Sequence, residues 1–351
     1  MKKFIIIIIG LTAFSSVSAQ IQPIFSAEYY TEIQTNFDKK YNWVNLLSLM
    51  IDVPTEKISK NWKNGSFQVD VIAVYTLFHD RIADDLLEFS NIEEESVPIN
   101  LFLFGYEHKW KKVSLFGGVR NVNLDYFATP YTSLFVNSSA GIFPTISINY
   151  PLANYPLSAT CLHFEYQPTK ELQLKTSLYN GVAHNPRENV FSVFTINPSK
   201  DGVAVMSELS YMQHKLGSGF YALGTFVRTA PEYEKTSYSI WTTIEQSVFK
   251  KDNKEIGFLL QGGMAPQTNN ECNYYYAVGG YFQGLLSPKK QDKLGIYTNK
   301  AFFTNTTERT IEVTWQYPII EQIILQPAFH HIRTGNKTVY NIGLLRIIFM
   351  I

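Results

Sequence analysis

The sequence is poor in features that mark several common protein classes. It has two cysteines in 351 residues and a formal net charge of zero. After the N-terminal segment, no stretch reaches the roughly 18 apolar residues that a membrane helix needs. The balanced charge argues against a nucleic-acid partner, and no nucleophile elbow or His-Glu-x-x-His motif indicates an enzyme. We therefore expect no catalytic residues and no cofactor.

The two cysteines, Cys161 and Cys272, lie far apart in the sequence. Exported proteins often pair their cysteines, so a disulfide between these two is an open alternative. No Cys-x-x-Cys or His-x-x-x-His spacing accompanies either residue, and a metal site is accordingly not expected.

The N-terminus has the pattern of a targeting segment. Lys2 and Lys3 precede the apolar run Phe4–Ile9, and Val17-Ser18-Ala19 fits the small-residue cleavage pattern. This pattern predicts a signal peptide at residues 1–19, followed by one exported domain at residues 20–351.

The chain is rich in aromatic residues and in segments where apolar and polar residues alternate. Aromatics make up 15% of the residues, with 22 Tyr and 25 Phe, as is usual for a membrane barrel with aromatic girdles. Near the C-terminus, Leu345, Ile347 and Phe349 fall on one parity and Arg346 on the other. Such alternation indicates a β-strand, because successive side chains point to opposite faces.

Alternating segments recur along the chain and predict an all-β fold, a transmembrane antiparallel β-barrel of about sixteen strands. Strand Thr338–Ile351 would close it against Ile24–Gln34. Within the second strand, the run Leu46–Ile51 is also compatible with a helix. The other predicted strands are Tyr41–Val53, Ser66–His79, Ile99–Lys109, Lys112–Val122, Leu157–Gln167, Glu171–Asn180, Val203–His214, Gly219–Thr229, Ser237–Phe249, Glu255–Ala265, Asn273–Leu285, Lys293–Phe303 and two segments between Thr307 and His330.

Short turns alternate with longer connections, which is the expected asymmetry between periplasmic turns and extracellular loops. The long connections are Asp80–Pro98, Leu124–Pro156 and Gly181–Asp201. Loops as long as Leu124–Pro156 are usually functional. We expect this loop to fold inward and narrow the barrel.

Strand parity also predicts which polar residues face the barrel interior. A charge on the lipid face costs about 2–4 kcal/mol near the midplane, so charged strand residues should face the lumen. There they would hold a polar solute by charge-assisted hydrogen bonds; alternatively, they pair across the lumen and only keep it hydrated. The candidates for lining the pore or binding its solute, including one from the inward loop, are Glu28, Glu107, Arg120, Asn137, His163, Glu165, Lys175, Glu208, Glu312, Gln326 and Arg346.

Four stretches carry a family likeness. They are Ser90–Glu93, Leu134–Ile142, the hairpin Leu162–Pro168 with Leu178–Gly181, and the ending Glu312–Phe349. In these stretches the chain resembles the OprB-like carbohydrate-selective porins of bacterial outer membranes. It departs from that family at Gly117–Asn121, which replaces a Gly-Lys-Gln-Asp-like segment, and it lacks the early Gly-Asp-Trp-Gly-Gly segment.

The resemblance implies a location and a function. The location is the bacterial outer membrane, and the function is passive diffusion of carbohydrates and similar small polar solutes. Expected partners are sugars, outer-membrane lipid and the barrel-assembly machinery, with a homo-oligomer as an open alternative. A competing interpretation is a plugged outer-membrane barrel that acts in binding or adhesion.

Overall fold

The computed structural model describes residues 23–187, 189–214, 217–230, 235–267, 270–287 and 291–351. In this part of the chain, the backbone forms sixteen β-strands, β1 to β16 in chain order. The predicted signal peptide at residues 1–19 lies outside the described residues. The strands are Ile24–Thr35, Tyr41–Pro54, Gly65–Thr76, Val97–Lys109, Val113–Arg120, Ala159–Tyr166, Leu172–Asn180, Val203–Gln213, Gly219–Ala230, Lys235–Lys251, Lys254–Met264, Cys272–Gln283, Lys293–Phe303, Thr307–Ile320, Ile323–Thr334 and Val339–Met350.

The strands close into a single antiparallel barrel. Each strand pairs with the next one along the chain, and β16 pairs back with β1. In this closing pair, Glu32 lies opposite Arg346. The predicted sixteen-stranded barrel, closed by the terminal strand on the first one, is confirmed. The run Leu46–Ile51 belongs to β2, so its helical alternative was wrong.

The alternation in β16 appears directly in its burial. Leu345 is 41% exposed on the outer surface, whereas Ile342, Leu344 and Arg346 are buried on the inner one. Two of these inner residues are apolar because loop residues such as Phe89 pack against them inside the barrel. The interior is therefore partly a packed core rather than a uniformly wet channel.

The two ends of the barrel differ in the length of their connections. The long loops, residues 77–96, 121–158 and 181–202, all follow odd-numbered strands and lie at one end. The connections after even-numbered strands are shorter: most are turns such as residues 110–112 and 321–322, and the longest, residues 55–64, has ten residues. Strand β3 ends at Thr76, before the predicted His79, so the first long loop begins earlier than expected. Within the described residues, no helix is long and apolar enough to cross a membrane.

The connection between β5 and β6, residues 121–158, is called the inward loop below. It contains short helical turns at Val122–Leu124, Thr132–Leu134, Ser138–Gly141 and Pro144–Ser147. Its aromatic side chains are buried: Phe143 is fully buried, and Phe127 packs on Trp241 with ring centroids 5.2 Å apart. Each such side chain contributes about 2 kcal/mol through removal of its apolar surface from water. The expectation of an inward-folding long loop is confirmed.

Glycines on the barrel wall leave room for this loop. A Cβ atom on Gly257 of β11 would collide with the Tyr131 ring, and one on Gly295 of β13 would lie 2.6 Å from Phe135. Side chains at these two positions would hold the loop away from the wall. Cys161 and Cys272 are buried and unpaired, so the disulfide alternative is not realised.

Candidate functional site

Six consecutive strands, β10 to β15, each place at least one polar side chain against the inward loop. We call this set the anchor wall. Tyr275 donates to the Ser139 carbonyl at 2.7 Å, and Gln261 donates to the Ala140 carbonyl at 2.9 Å. Because neighbouring strands are evenly spaced, these side chains form a regular row of hydrogen bonds along the loop. The six residues are Glu245, Gln261, Tyr275, Asn299, Glu312 and Gln326.

The two carboxylates of the anchor wall hold backbone amides. Glu245 accepts from the amides of Tyr131 and Thr132 at 3.0 and 3.1 Å. Glu312 accepts from the amides of Val136 and Asn137 at 2.9 and 3.1 Å. Hydrogen bonds to an ionised acceptor are stronger than neutral ones. These four bonds fix the course of the loop between residues 131 and 137.

A second loop, residues 77–96 between β3 and β4, is called the acidic loop. Glu308 of β14 accepts from the amides of Leu86 and Leu87, at 3.0 and 2.9 Å. Arg346 of β16 donates to Asn91 at 2.9 Å while it forms a 2.5 Å ion pair with Glu32. The closing seam of the barrel and the position of the acidic loop therefore depend on the same guanidinium.

Burial changes the acid–base properties of this loop. It raises the pKa of Asp85 to about 7, although the nearby guanidinium of Arg81 acts in the opposite direction. Burial likewise raises the pKa of Glu93 to about 7, again opposed by Arg81. Both carboxyl groups therefore change charge near neutral pH, well above their ordinary range.

The main cavity has a volume of about 870 Å³ and lies beside the inward loop. Its lining reaches from Asn185 and Arg187, at the long-loop end, to Ser26 and Gln316 near the short-turn end. Strands β1 to β4 supply much of its wall, opposite the inward loop. Because the loop is fixed to β10–β15, open space remains on the other side of the barrel, beside β1–β4.

A second cavity, which we call the basin, has a volume of about 360 Å³ at the short-turn end. It shares Met50, Asp70 and Leu124 with the main cavity, so the two adjoin at these residues. Arg120 forms an ion pair with Asp125 at 2.5 Å, and Lys109 forms one with Glu107 at 3.2 Å. The charges of the basin are thus largely paired with one another. The basin can offer both donors and acceptors to a polar solute.

The structure divides the eleven predicted residues into three groups. The first group lines the basin, the second lines the main cavity, and the third lines neither cavity. Of the second group, Gln326 is only 2% exposed because it donates to the Leu134 carbonyl. In order, the groups are Glu107, Arg120, Glu165 and Lys175; then Glu28, Gln326 and Arg346; then Asn137, His163, Glu208 and Glu312.

The polar atoms of the third group form hydrogen bonds to other residues of the protein. Glu312 is held by loop amides, and Glu208 accepts from the Trp241 indole at 3.2 Å. The Asn137 side chain accepts from the Ser139 amide at 3.2 Å, and so forms the capped turn that is common for Asn. Parity placed the strand residues on the inner face, but it could not distinguish a face that meets water from one that meets a loop.

His163, the remaining residue of the third group, contacts a serine and a glutamate side chain. Its ring lies 2.6 Å from the Ser177 hydroxyl and 3.1 Å from a Glu165 oxygen. This arrangement of serine, histidine and carboxylate has the composition of a hydrolytic triad. Ser177, however, is fully buried and also bonded to the Tyr126 hydroxyl at 2.8 Å. An attacking role would require a substrate to reach a hydroxyl that the fold encloses.

Asp125, His163 and Glu165 also bring one ligand atom each to within 4.8 Å of one another. These are residue types that hold a transition-metal ion. Both carboxylate oxygens of Asp125, however, already accept from Arg120, at 2.7 and 2.5 Å. Both oxygens of Asp125 are thus already engaged by a guanidinium.

Several residues that shape the site were not predicted. Asp70 and Glu245 alternate with apolar neighbours, Val69 and Val71 in β3 and Ile244 in β10, so parity was a usable signal for both. Asp125 and Glu93 lie in loops, where no periodicity indicates the direction of a side chain. Their importance depends on tertiary packing alone.

The chain matches the sequence profile of the carbohydrate-selective porin family OprB over residues 61–345. No curated protein sequence matches it. The high-pH structure of Pseudomonas putida OprB superposes with a TM-score of 0.81 at 15% identity, covering 94% of both chains. The low-pH structure of that protein gives 0.66 at 14% identity, covering 94% of this chain and 92% of the other. An anion-selective porin from Comamonas acidovorans gives 0.56 at 9% identity, covering 94% and 100%. At these identities, the structural similarities show a shared barrel fold.

Proposed function

The chain belongs to the OprB family of carbohydrate-selective porins and is a porin of the bacterial outer membrane; from this premise we propose the route and the solutes of its channel. Solutes enter at the long-loop end, pass between the inward loop and the wall of β1–β4, and leave through the basin. The observation that carries this proposal is the cavity lining, which extends from Arg187 to Ser26. Members of this family are channels, and no chemical step is needed for passive diffusion.

The solutes proposed are carbohydrates and similar small polar molecules. Paired charges in the basin, such as Arg120 with Asp125, present fixed donors and acceptors without a large net field. Sugar hydroxyls can exchange their bonds to water for bonds to such groups. Glu107, Glu165 and Lys175 would act in the same way in the basin, and Glu28 in the main cavity.

The proposal is tested on protein refolded into planar bilayers and liposomes. We expect open-channel conductance, together with liposome swelling in neutral monosaccharides that is faster than in amino acids of similar size. A conductance that never exceeds the bilayer background would favour the competing interpretation, a plugged barrel used in binding or adhesion. Equal swelling rates for sugars and amino acids would contradict the preference for carbohydrates.

The remaining partners and the export signal are proposals of the same kind. Exposed apolar side chains such as Leu162 and Leu223 would contact outer-membrane lipid, and the terminal strand would engage the barrel-assembly machinery. The signal peptide at residues 1–19 would be removed on export. For the oligomeric state, a trimer form of OmpT from Vibrio cholerae shares the fold, with a TM-score of 0.58 at 9% identity over 94% of this chain and 99% of the other. Native mass spectrometry of the detergent-extracted protein distinguishes a monomer from a trimer.

A further inference from the structure

The main cavity carries more acidic than basic side chains. Among the described residues, five carboxylates and two guanidiniums line it, whereas the basin has four carboxylates and three cations. The excess of negative charge therefore lies in the larger cavity. The charged groups of the main cavity are Glu28, Asp70, Glu88, Glu93, Glu94, Arg187 and Arg346.

Both guanidiniums of the main cavity already have carboxylate partners. Arg187 pairs with Glu94 at 2.8 Å, and Arg346 pairs with Glu32 at 2.5 Å. Among the remaining carboxylates, Glu28 accepts from the Tyr30 hydroxyl at 2.6 Å and Asp70 accepts from the Ser48 hydroxyl at 2.8 Å. These hydroxyls donate hydrogen bonds but bring no positive charge.

Glu93 is the carboxylate that most clearly lacks hydrogen-bond donors and close positive charges. Its side chain is 6% exposed on the cavity wall, and the guanidinium of Arg81 is 3.9 Å away, too far for a hydrogen bond. Within the described residues, neither of its carboxylate oxygens has a hydrogen-bond partner. A buried carboxylate without hydrogen-bond partners is costly. A cation or strong donor that enters the cavity would lower this cost.

We propose that the main cavity favours cationic solutes, namely protonated amino sugars and similar small ammonium-bearing polyols, over neutral and anionic sugars of the same size. The inference rests on the proposed porin function and specifies its preferred substrate class. A cavity lined by charges of one sign concentrates counter-ions at its mouth and repels ions of like charge. Glu28, Asp70 and Glu93 supply that field, and the balanced basin adds little to it.

The test compares three solutes of similar size in liposome swelling at neutral pH: glucosamine, glucose and gluconate. With unaltered protein, we expect glucosamine to enter about threefold faster than glucose, which is less than the roughly tenfold minimum for clefts of one charge sign, because Arg187 and Arg346 offset part of the negative charge. Gluconate should be slowest. Equal rates for glucosamine and glucose would overturn the inference while leaving the porin function intact. Failure of all three solutes to enter would overturn both.

Two variants locate the effect. Glu93→Gln keeps the shape of the side chain and should lower the ratio of glucosamine to glucose rates, while Glu28 and Asp70 should keep it above one. The matched control is Glu321→Gln, because Glu321 is exposed in the short turn between β14 and β15. The control should keep the ratio of the unaltered protein. An unchanged ratio in Glu93→Gln would exclude Glu93 as the source of the selectivity.

A second measurement needs no variant, so it does not depend on the folding of Glu93→Gln. The reversal potential of the unaltered channel in a gradient of KCl reports its ion preference. We expect K⁺ to permeate faster than Cl⁻. A preference for Cl⁻ would overturn the inference.

Discussion

Arg346 joins three parts of the molecule through one side chain. It forms an ion pair with Glu32 across the closing strands and donates to Asn91 of the acidic loop. Glu32 is fully buried and Arg346 is 4% exposed. Removal of one partner from such a buried pair leaves an uncompensated charge, which is far more costly than loss of the pair itself.

Arg346→Gln should therefore lower the free energy of unfolding by about 3–5 kcal/mol. Unfolding by urea in detergent micelles, followed by tryptophan fluorescence, measures this change. The double variant Arg346→Gln with Glu32→Gln should recover part of the loss, since it removes both charges. Arg333→Gln is the control, because Arg333 is exposed near the end of β15. A single variant as stable as the control would mean that the pair contributes nothing to closure.

Residues such as Arg346 and Glu312 also show how far sequence reasoning extends. Parity placed both on the inner face of the barrel, and the burial of both agrees. Their partners were less accessible to prediction. The strand across the seam from Arg346 was predicted, whereas the loop amides bound by Glu312 depend on the three-dimensional course of the inward loop.

At the scale of elements, the inward loop depends on the wall behind it. The anchor wall supplies polar partners from β10–β15, and Gly257 and Gly295 allow loop rings to approach the backbone. The strands themselves were predictable, since alternation is a local property of the chain. The fit of a ring against a glycine is not local, and nothing in the spacing of Gly257 indicated that Tyr131 would meet it.

Gly257→Ala should displace the loop because its Cβ would collide with the Tyr131 ring. We expect an overpacking cost of about 1–3 kcal/mol, with stronger current noise in single-channel recordings as the loop moves. Gly262→Ala lies on the same strand, and its nearest contact would be an ordinary 3.6 Å from Thr242. The single-channel current noise of this control should equal that of the unaltered channel. Equal noise in the two variants would show that the loop does not depend on this close approach.

For the whole molecule, pH should tune the selectivity of the channel. Burial raises the pKa of Glu93 to about 7, so its charge is lost as pH falls through that value. The preference for K⁺ over Cl⁻ should therefore increase between about pH 6 and about pH 8. Glu93→Gln should weaken this dependence, and a flat profile in the unaltered protein would contradict it. The charged groups near Glu93 are Arg81, Asp85 and Glu88 of the acidic loop and Glu32 of β1.

The same titration affects stability with a defined sign. The pKa of Glu93 is raised above its ordinary value of 4.5, so the folded protein holds a proton that the unfolded chain releases. Because the folded state binds more protons than the unfolded state, the free energy of unfolding falls as pH rises from about 4.5 through about 7. Asp85, whose pKa burial raises to about 7, acts in the same direction.

The off-centre position of the channel has an evolutionary consequence. The described residues that line the basin all lie between Met50 and Lys175, whereas the six anchor residues lie between Glu245 and Gln326. Mutations that alter what the basin admits therefore arise in a different part of the gene from those that keep the inward loop in place. Substitutions confined to residues 50–175 can therefore change what the basin admits without altering any of the six side chains that hold the inward loop.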